Sequence, residues 1–301
     1  MRLIFCADPL NQRRVDPLYQ REAAAASEAG LTWSLLNFEA LVDEQDAAEA
    51  VRQIAPVEGD EVGIYRGWML RPTLYAQLYE ALAERYISLI NAPSAYRHCH
   101  YLPESNAIIE DHTPRSVWLE AKDGLWLARV LEALHPFGEQ SVILKDYVKS
   151  RKHEWAEACY IPSAADRAAV ERVVTRFLQL QGPDLNEGLV FREFVQFEPL
   201  AAHSKSGMPL TKEFRLFFLD GRLLLAAPYW DEGEYRDLMP PEGLFQDVAR
   251  RVQSRFFTMD VARRLDGVWM IVELGDGQVA GLPEQVDTGA FYRALAERLA
   301  A

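Results

Sequence analysis

The sequence predicts a small parallel α/β domain followed by two α+β lobes, and three patterns carry that expectation. Apolar strand runs alternate with helical stretches over residues 1–92, the signature of a parallel sheet. An apolar run at 141–144 leads into a lysine, a polar loop and a helical stretch. From Leu189 onward strand runs dominate, and two of their turns are Asp-Gly pairs, a strong short-range hairpin signal. The expected units are 1–92, 93–190 and 191–301.

In order along the chain, residues 2–7 read as a buried strand stopping at Asp8-Pro9. Asp16-Pro17 has the form of a helix N-cap with proline at the first helical position, and that helix ends at Gly30. A strand at 31–36 and a helix at 38–54 follow, then a strand from Glu61 to Arg66. Pro72 opens another helix, and Tyr86 to Ile90 forms a fourth strand. Ligands of such sheets collect beyond the carboxyl ends of the strands, where Asp8, Arg66 and Asn91 stand. Residues 94–135 read as mostly helical around a strand at Ser116–Ala121, and a helix covers 163–180. The last part holds hairpins about Asp220-Gly221 and Asp266-Gly267, a helix near 241–254 and a terminal helix at 288–300.

A chain of 301 residues can bury a substantial core, and 49% hydrophobic with 26% charged residues is ordinary globular composition. Its net charge of -13 repels polyphosphate backbones, which disfavours broad nucleic-acid binding. Cys6, Cys99 and Cys159 are odd in number and lack a CxxC spacing, which argues for a reducing compartment and against a zinc ribbon. The N-terminal apolar run is too short for a signal peptide, and no stretch reaches the roughly 18 apolar residues of a membrane span. A cytoplasmic protein is expected.

The most informative chemistry lies in the last hairpin. A two-residue loop at Asp266-Gly267 makes Asp260 and Glu273 direct cross-strand partners. Facing side chains lie roughly 5 Å apart at Cβ, and like charges there destabilise the pair. A divalent cation removes that cost, since Mg²⁺ takes carboxylate oxygens together with nucleotide phosphates. The competing reading is an exposed acidic pair softened by Arg263 and Arg264. On alternation, Phe257, Met259, Val261, Met270, Val272 and Leu274 share the core face, while Asp260, Ala262, Ile271 and Glu273 line a cleft. Asp276, just past the strand, is either a further metal ligand or a turn residue.

Elsewhere, Lys145 ends a buried strand and can meet a phosphate, with Lys149, Ser150 and Lys152 closing over the same anion. The alternative is a solvated basic loop. No GxxxxGK[ST] is present, so this is not a P-loop. The strand Phe191-Arg192-Glu193-Phe194-Val195 runs toward Glu198; it could offer backbone to an adenine and a carboxylate to a ribose, or be plain core strand. Arg215 shares a sheet face with Glu213 and needs a partner, either a carboxylate or a nucleotide phosphate. In Arg97-His98-Cys99-His100 the two histidines do not share a helix face, which favours packing over metal binding. The absence of HExxH, GxSxG or a Ser/His/Asp order argues against covalent hydrolase chemistry.

Taken together these segments resemble the ATP-grasp family over nearly the whole chain, as a pre-ATP-grasp domain and two lobes gripping a nucleotide. Lys145 matches the family's strand lysine on the phosphates, and Arg192, Glu193, Phe194 and Val195 match the hinge at the adenine. Glu198 takes the ribose position, Arg215 the basic residue facing the phosphates, and Asp260 and Glu273 the paired metal carboxylates. The stretches at Tyr65–Trp68, Lys145–Trp155 and Glu273–Gln278 are similar to a bacterial and phage clade named for one arginine and two lysines, here matched to Arg215, Lys145 and Lys149. Where many members carry asparagine two residues after the metal glutamate, this chain has Gly275, and Asp276 is the substitute to consider.

The resemblance implies ATP and Mg²⁺ (or Mn²⁺) as cofactors. It implies ligation of a small-molecule or peptide carboxylate to an amine through an acyl-phosphate. Arg215 and Lys149 would act on the phosphoryl group, and Arg66 would orient substrate from the first domain. Two other readings stand beside it: a nucleotide-binding regulatory protein without turnover, and a small-molecule phosphotransferase.

Overall fold

The structure, a computed structural model, describes residues 1–202 and 209–300. Strand β1 (Arg2–Asp8) is buried through Leu3–Ala7 and returns as antiparallel β2 (Asn11–Val15), with Asp8 Oδ1 accepting from Leu10 N at 2.8 Å in the turn. The sequence Asn-Gln-Arg-Arg-Val is too polar and exposed to read as a strand, so β2 escapes an apolar pattern. Asp16 accepts from Leu18 N as expected, and one 3₁₀ turn precedes α1 (Gln20–Glu28), after which Gly30 takes φ +75°. Then come β3 (Thr32–Leu36), α2 (Phe38–Val42) and α3 (Ala47–Ala50). The single helix expected at 38–54 is cut in two because Gln45 adopts φ 55° and Asp46 recaps, accepting from Glu49 N at 2.9 Å. Strand β4 (Glu61–Arg66), helix α4 (Pro72–Ala83) and β5 (Ile87–Leu89) complete the domain. The pairings β3–β1–β4–β5 are all parallel, as expected, and β2 extends β1 from its end.

Helices α5 (Pro93–His100) and α6 (Leu102–Ile109) lead out of this domain. They send Cys99 and Ile109 into a core with Phe214, Met259 and Ile271, so they pack chiefly on the third unit, with Leu102 meeting Tyr147 and Val190 of the second. The second unit is an antiparallel sheet of β6 (Ser116–Glu120), β7 (Val142–Asp146), β8 (Tyr160–Ile161) and β9 (Gly188–Glu193), in the order β6-β9-β7-β8. Helices α7 (Leu127–Leu134), α8 (Trp155–Ala158) and α9 (Arg167–Gln181) accompany it. Asp166 caps α9, whose Val170, Val173 and Phe177 meet Leu144 and Phe191 in a separate core.

In the third unit a ribbon of β10 (Pro199–Ala202) and β11 (Pro209–Thr211) precedes β12 (Glu213–Leu219) and β13 (Arg222–Pro228). Asp220 at φ 48° and Gly221 at φ 68° form the expected two-residue turn with both residues left-handed. The helix expected near 241–254 shrinks to α10 (Gln246–Ala249). Strands β14 (Phe256–Arg263) and β15 (Trp269–Asp276) and helix α11 (Thr288–Ala300) finish the chain, and the sheet order is β13-β12-β14-β15. The first and third units share one core, in which Leu3, Phe5 and Ile64 lie with Phe217, Phe256, Phe291 and Tyr292.

Candidate active site

The hairpin that presents the two acids is built differently from the expected form. Leu265, Asp266 and Gly267 make a three-residue loop between Arg264 and Val268, with Gly267 at φ +89° and its N–H on Arg264 O at 2.9 Å. That shifts the register by one: Val261 pairs with Ile271 and Ala262 with Met270. A bulge at Val272 then restores it, and Asp260 faces Glu273 as expected. Two departures cancel at the acids but not beyond them. Ile271, expected in the cleft, is buried with Val261 and Met259, and Met270 and Val272, expected in the core, are only half-buried.

Each acid meets a cation from elsewhere. Arg215, facing Asp260 across β12 and β14, grips it with two bonds, Nε–Oδ1 at 2.9 Å and Nη2–Oδ2 at 2.7 Å. Its guanidinium also lies 4.5 Å from the centre of the Tyr229 ring. Lys145 reaches from the second unit to Glu273 Oε2 at 3.3 Å. Burial favours the neutral form of Glu273, but Lys145, Lys152, Arg215 and Arg192 together hold its carboxyl down to about 2. Its side chain is 38% exposed, so water screens part of this attraction. Burial pushes Asp260 above the usual carboxylate range, against the pull of Arg215.

A cavity of about 410 Å³ opens beside the acids, walled by Ile143, Trp155, Phe194, Val195, Leu210 and Val272, with Glu193 also on its lining. Lys145 and Glu273 close one end, with Lys152 and Glu213. An apolar slot ending in convergent charges is the form of a nucleotide site. Phe194 is fixed edge-on to Trp155 and Tyr160, at 5.9 and 5.2 Å between ring centres.

The lysine that joins Lys145 here is Lys152, and Lys149 lies elsewhere. Ser150 bridges antiparallel to Lys145, so the chain turns at 146–149 and residues 150 and 152 fall on Lys145's side. Asp146 holds the turn, accepting from Val148 N at 2.7 Å, Lys149 N at 2.5 Å, Gln181 Nε2 at 2.7 Å and Asn186 Nδ2 at 2.8 Å. Lys149 is exposed and lines a different depression, between the second unit and the first.

Glu213 is a site residue that sequence reasoning treated only as a partner for Arg215. Burial pushes it up to about 8, with Lys152 pulling the other way. Its alternation with Arg215 put both on one face, which was the available signal.

Five expected site residues have other work. Arg66 is fully buried and donates to Glu22 Oε2 at 2.9 Å and Oε1 at 3.0 Å. Its Nη1 donates to the carbonyls of Gly277, Gln278 and Ala280 at 2.7, 3.1 and 2.9 Å, so the fork is consumed joining the first unit to the third and is not open to substrate. Asn91 likewise bonds Phe256 and Asp276. Asp276 lines a cavity with Asp260 and Glu273, but its carboxylate is tied into the joint, accepting from Asn91 Nδ2, Gln278 N and Gln278 Nε2 at 2.7, 2.9 and 3.1 Å. Glu198 is ion-paired to Arg263 at 2.7 Å and lies outside the residues lining the cavity, so the geometry offers it no ribose. Arg192 lines the cavity, but its guanidinium is buried against Val272 O, Thr113 Oγ1 and Ile271 O, and it clips the two lobes together.

Among the described residues no group of three His, Cys, Asp or Glu side chains could hold a metal. Gly275 faces Thr258 across the strands, and a Cβ there would stand 2.7 Å from Thr258 Oγ1. Asp260 and Glu273 alone therefore suit an ion that arrives with phosphate oxygens to complete its shell.

Two lobes closing on such a slot, one supplying a strand lysine and the other opposed acids, define an ATP-grasp fold. The chain belongs to the family described as ATP-grasp domain, R2K clade family 3, which matches residues 134–295. Comparison with proteins of curated function finds no match. Among solved structures, D-cycloserine synthetase DcsG is similar at 15% identity and TM-score 0.61, over 99% of this chain and 100% of that one. The RimK domain ATP-grasp protein from Sphaerobacter thermophilus DSM 20745 covers 100% of each chain at 15% identity and TM-score 0.62. The ATP-grasp ligase PsnB, complexed with a phosphomimetic variant of its minimal precursor, Mg and ADP, aligns over 99% of this chain and 98% of that one at 15% identity and TM-score 0.59. At these identities the likeness establishes the fold, whose ligases use ATP and Mg. Among the described residues no helix is long and apolar enough to cross a membrane.

Proposed function

We propose that this chain is an ATP- and Mg²⁺-dependent ligase joining a carboxylate to an amine through an acyl-phosphate. One observation carries the reading: Asp260 and Glu273 face each other, Glu273 closing an apolar slot and Asp260 lining the cavity that adjoins it, each answered by a cation, one of them from the opposite lobe. Mg²⁺ held by these two carboxylates would bridge phosphate oxygens and neutralise charge. Lys145 and Lys152 would lie on the phosphates, and Arg215 would steady the transferring group. Before nucleotide arrives the cations rest on the carboxylates; its phosphates give the cations new partners and free the acids for metal.

In the proposed reaction an oxygen of the substrate carboxylate attacks the γ-phosphorus and the bond to ADP breaks. The amine then attacks the acyl carbon, inorganic phosphate leaves, and the nitrogen loses a proton. The chain's own task is positioning and charge balance. PsnB and the macrocyclase MdnC were each seen with a precursor peptide, which supports amino acids and peptides as the substrates to test. The three cysteines are free and buried, in keeping with a reducing, cytoplasmic setting. The test is ADP release from Mg-ATP across a panel of amino acids and short peptides, with products read by mass spectrometry. An amide product supports the ligase. A phosphorylated product would replace it with a kinase, and nucleotide binding without ADP from any substrate pair would replace it with a regulatory role.

A further inference from the structure

We propose that the acid substrate of this ligase carries an apolar side chain, seated between the first and second units, and that Lys149 holds its carboxylate. The inference rests on the ligase reading and adds the substrate's chemistry. The geometry begins with connection. The nucleotide slot shares Lys145 and Glu273 with a cavity of about 240 Å³ that also holds Arg215 and Asp260. That cavity in turn shares Met69 and His100 with a depression of about 700 Å³. A molecule in the depression therefore reaches the phosphate end from the side opposite the adenine slot.

The walls of the depression differ in kind. The first unit contributes Phe38, Val42, Leu70 and Leu74, an apolar surface that favours a hydrocarbon group. The loop after β7 contributes Lys149, whose ammonium has no ion-pair partner among the described residues, whereas Arg71 on the same rim is already paired with Asp184. His100 sits between, stacked on Tyr96 with ring centres 4.9 Å apart. Burial, then Lys149 and Lys145, depress it to about 4, so it stays a neutral hydrogen-bonding group beside both lysines. Arg151 and Glu154 also line the depression, but Arg151 is spent on Leu180 O; Lys149, a neutral imidazole and an apolar wall match an acid with a hydrocarbon side chain. The volume exceeds a single amino acid and leaves room for an acyl or peptide extension.

The test titrates N-acetyl-L-leucine, N-acetyl-L-leucinamide and N-acetylglycine calorimetrically into the full chain with Mg²⁺ and the non-hydrolysable analogue AMP-PNP. N-acetyl-L-leucine should bind, with the amide and the glycine derivative each weaker by about tenfold. Lys149→Gln should weaken the acid about tenfold and leave the amide alone. Leu74→Asn should weaken both leucine probes about fivefold. Equal affinities for acid and amide, no gain from the leucine side chain, or no binding of N-acetyl-L-leucine would each overturn the proposal. So would a Lys149→Gln chain that loses AMP-PNP and not the acid, which would return this lysine to the phosphates. A separate AMP-PNP titration reads the ligase assignment, because wild-type chain that fails to take the nucleotide removes that assignment whatever the acids do.

Discussion

Replacing Arg66 with methionine separates a structural joint from a substrate contact. The guanidinium makes two bonds to Glu22 and three to carbonyls of residues 277, 278 and 280. Methionine keeps much of the volume and leaves Glu22 buried with Tyr292 OH, at 2.5 Å, as its remaining side-chain partner. Removing one member of a buried ion pair costs about 3–5 kcal/mol, because the other charge stays desolvated. The three carbonyls add about 1 kcal/mol or more between them, since part of each bond's worth is regained from water and neighbours. A total of about 5 kcal/mol is a large share of a domain's net stability. At about 2 °C per kcal/mol for a chain of this size, the midpoint should fall by about 10 °C in scanning calorimetry at pH 7. The double variant Glu22→Gln with Arg66→Met should recover part of that loss by removing the stranded charge. If Arg66→Met melts within about 2 °C of the parent yet loses substrate affinity, the joint is the wrong reading and Arg66 belongs to the substrate site.

Lys145→Ala and Asp260→Asn should each lower ADP formation by about 100-fold or more while circular dichroism stays native, because the first removes a cation aimed at the phosphates and the second a carboxylate that would hold Mg²⁺. Glu198→Ala should leave the KM for ATP within about twofold, since its half-exposed pair with Arg263 is worth little and points away from the slot; a large rise would restore the ribose role. Glu213, raised to about 8 from an ordinary 4.5, makes a pH-dependent contribution that is complete below 4.5 and is lost as pH rises through 8. Without nucleotide, Glu213→Gln should therefore gain stability relative to wild type between those values, and parallel urea midpoints across that range would contradict the burial argument. Adding Mg²⁺ and AMP-PNP should raise hydrogen-exchange protection at 146–152 and 194–197 and leave 20–28 unchanged; the reverse pattern would mean that the first unit moves.

The parallel sheet of the first unit, the Asp220-Gly221 turn and the facing of Asp260 with Glu273 were legible because strand–helix alternation, period-two alternation and turn chemistry are local. The acids' register was nonetheless reached by a wrong route. A three-residue loop and a bulge at Val272 offset each other, and only the exchanged fates of Ile271 and Met270 reveal it. What stayed illegible was partnership across distance. Arg66 reads as a free strand-end cation until α1 brings Glu22 to it and the far end of the chain brings the carbonyls of 277, 278 and 280. Asp276 and Glu198 were placed by their position in the chain and by the family resemblance, and each is held by a residue that no local pattern links to it, Asn91 and Arg263. The exchange of Lys149 for Lys152 has a smaller cause: the Lys145–Ser150 bridge sets which side of the loop faces the slot, and that bridge depends on Asp146 gathering donors from residues 181 and 186.

Which parts of the molecule separate to admit a nucleotide follows from where apolar surface is shared. The first and third units bury Leu3, Phe5, Phe217, Phe256, Phe291 and Tyr292 in one core. At about 1.5–3 kcal/mol for each large side chain, parting them would consume a stability of only about 5–15 kcal/mol. The second unit keeps its own core, and meets the others through the Arg192 clip, the Lys145–Glu273 pair, the exposed Arg71–Asp184 pair and a small cluster of Tyr101, Leu102, Tyr147 and Val190. The exposed Arg71–Asp184 pair is worth about 0–1 kcal/mol, and although the Arg192 clip and the four-residue cluster are buried, they are a much smaller set than the core shared by the first and third units. The inexpensive motion is thus that of the second unit alone, turning about residues 194–197 and carrying Lys145, Lys149 and Lys152 together toward an acid pair that the other two units hold fixed.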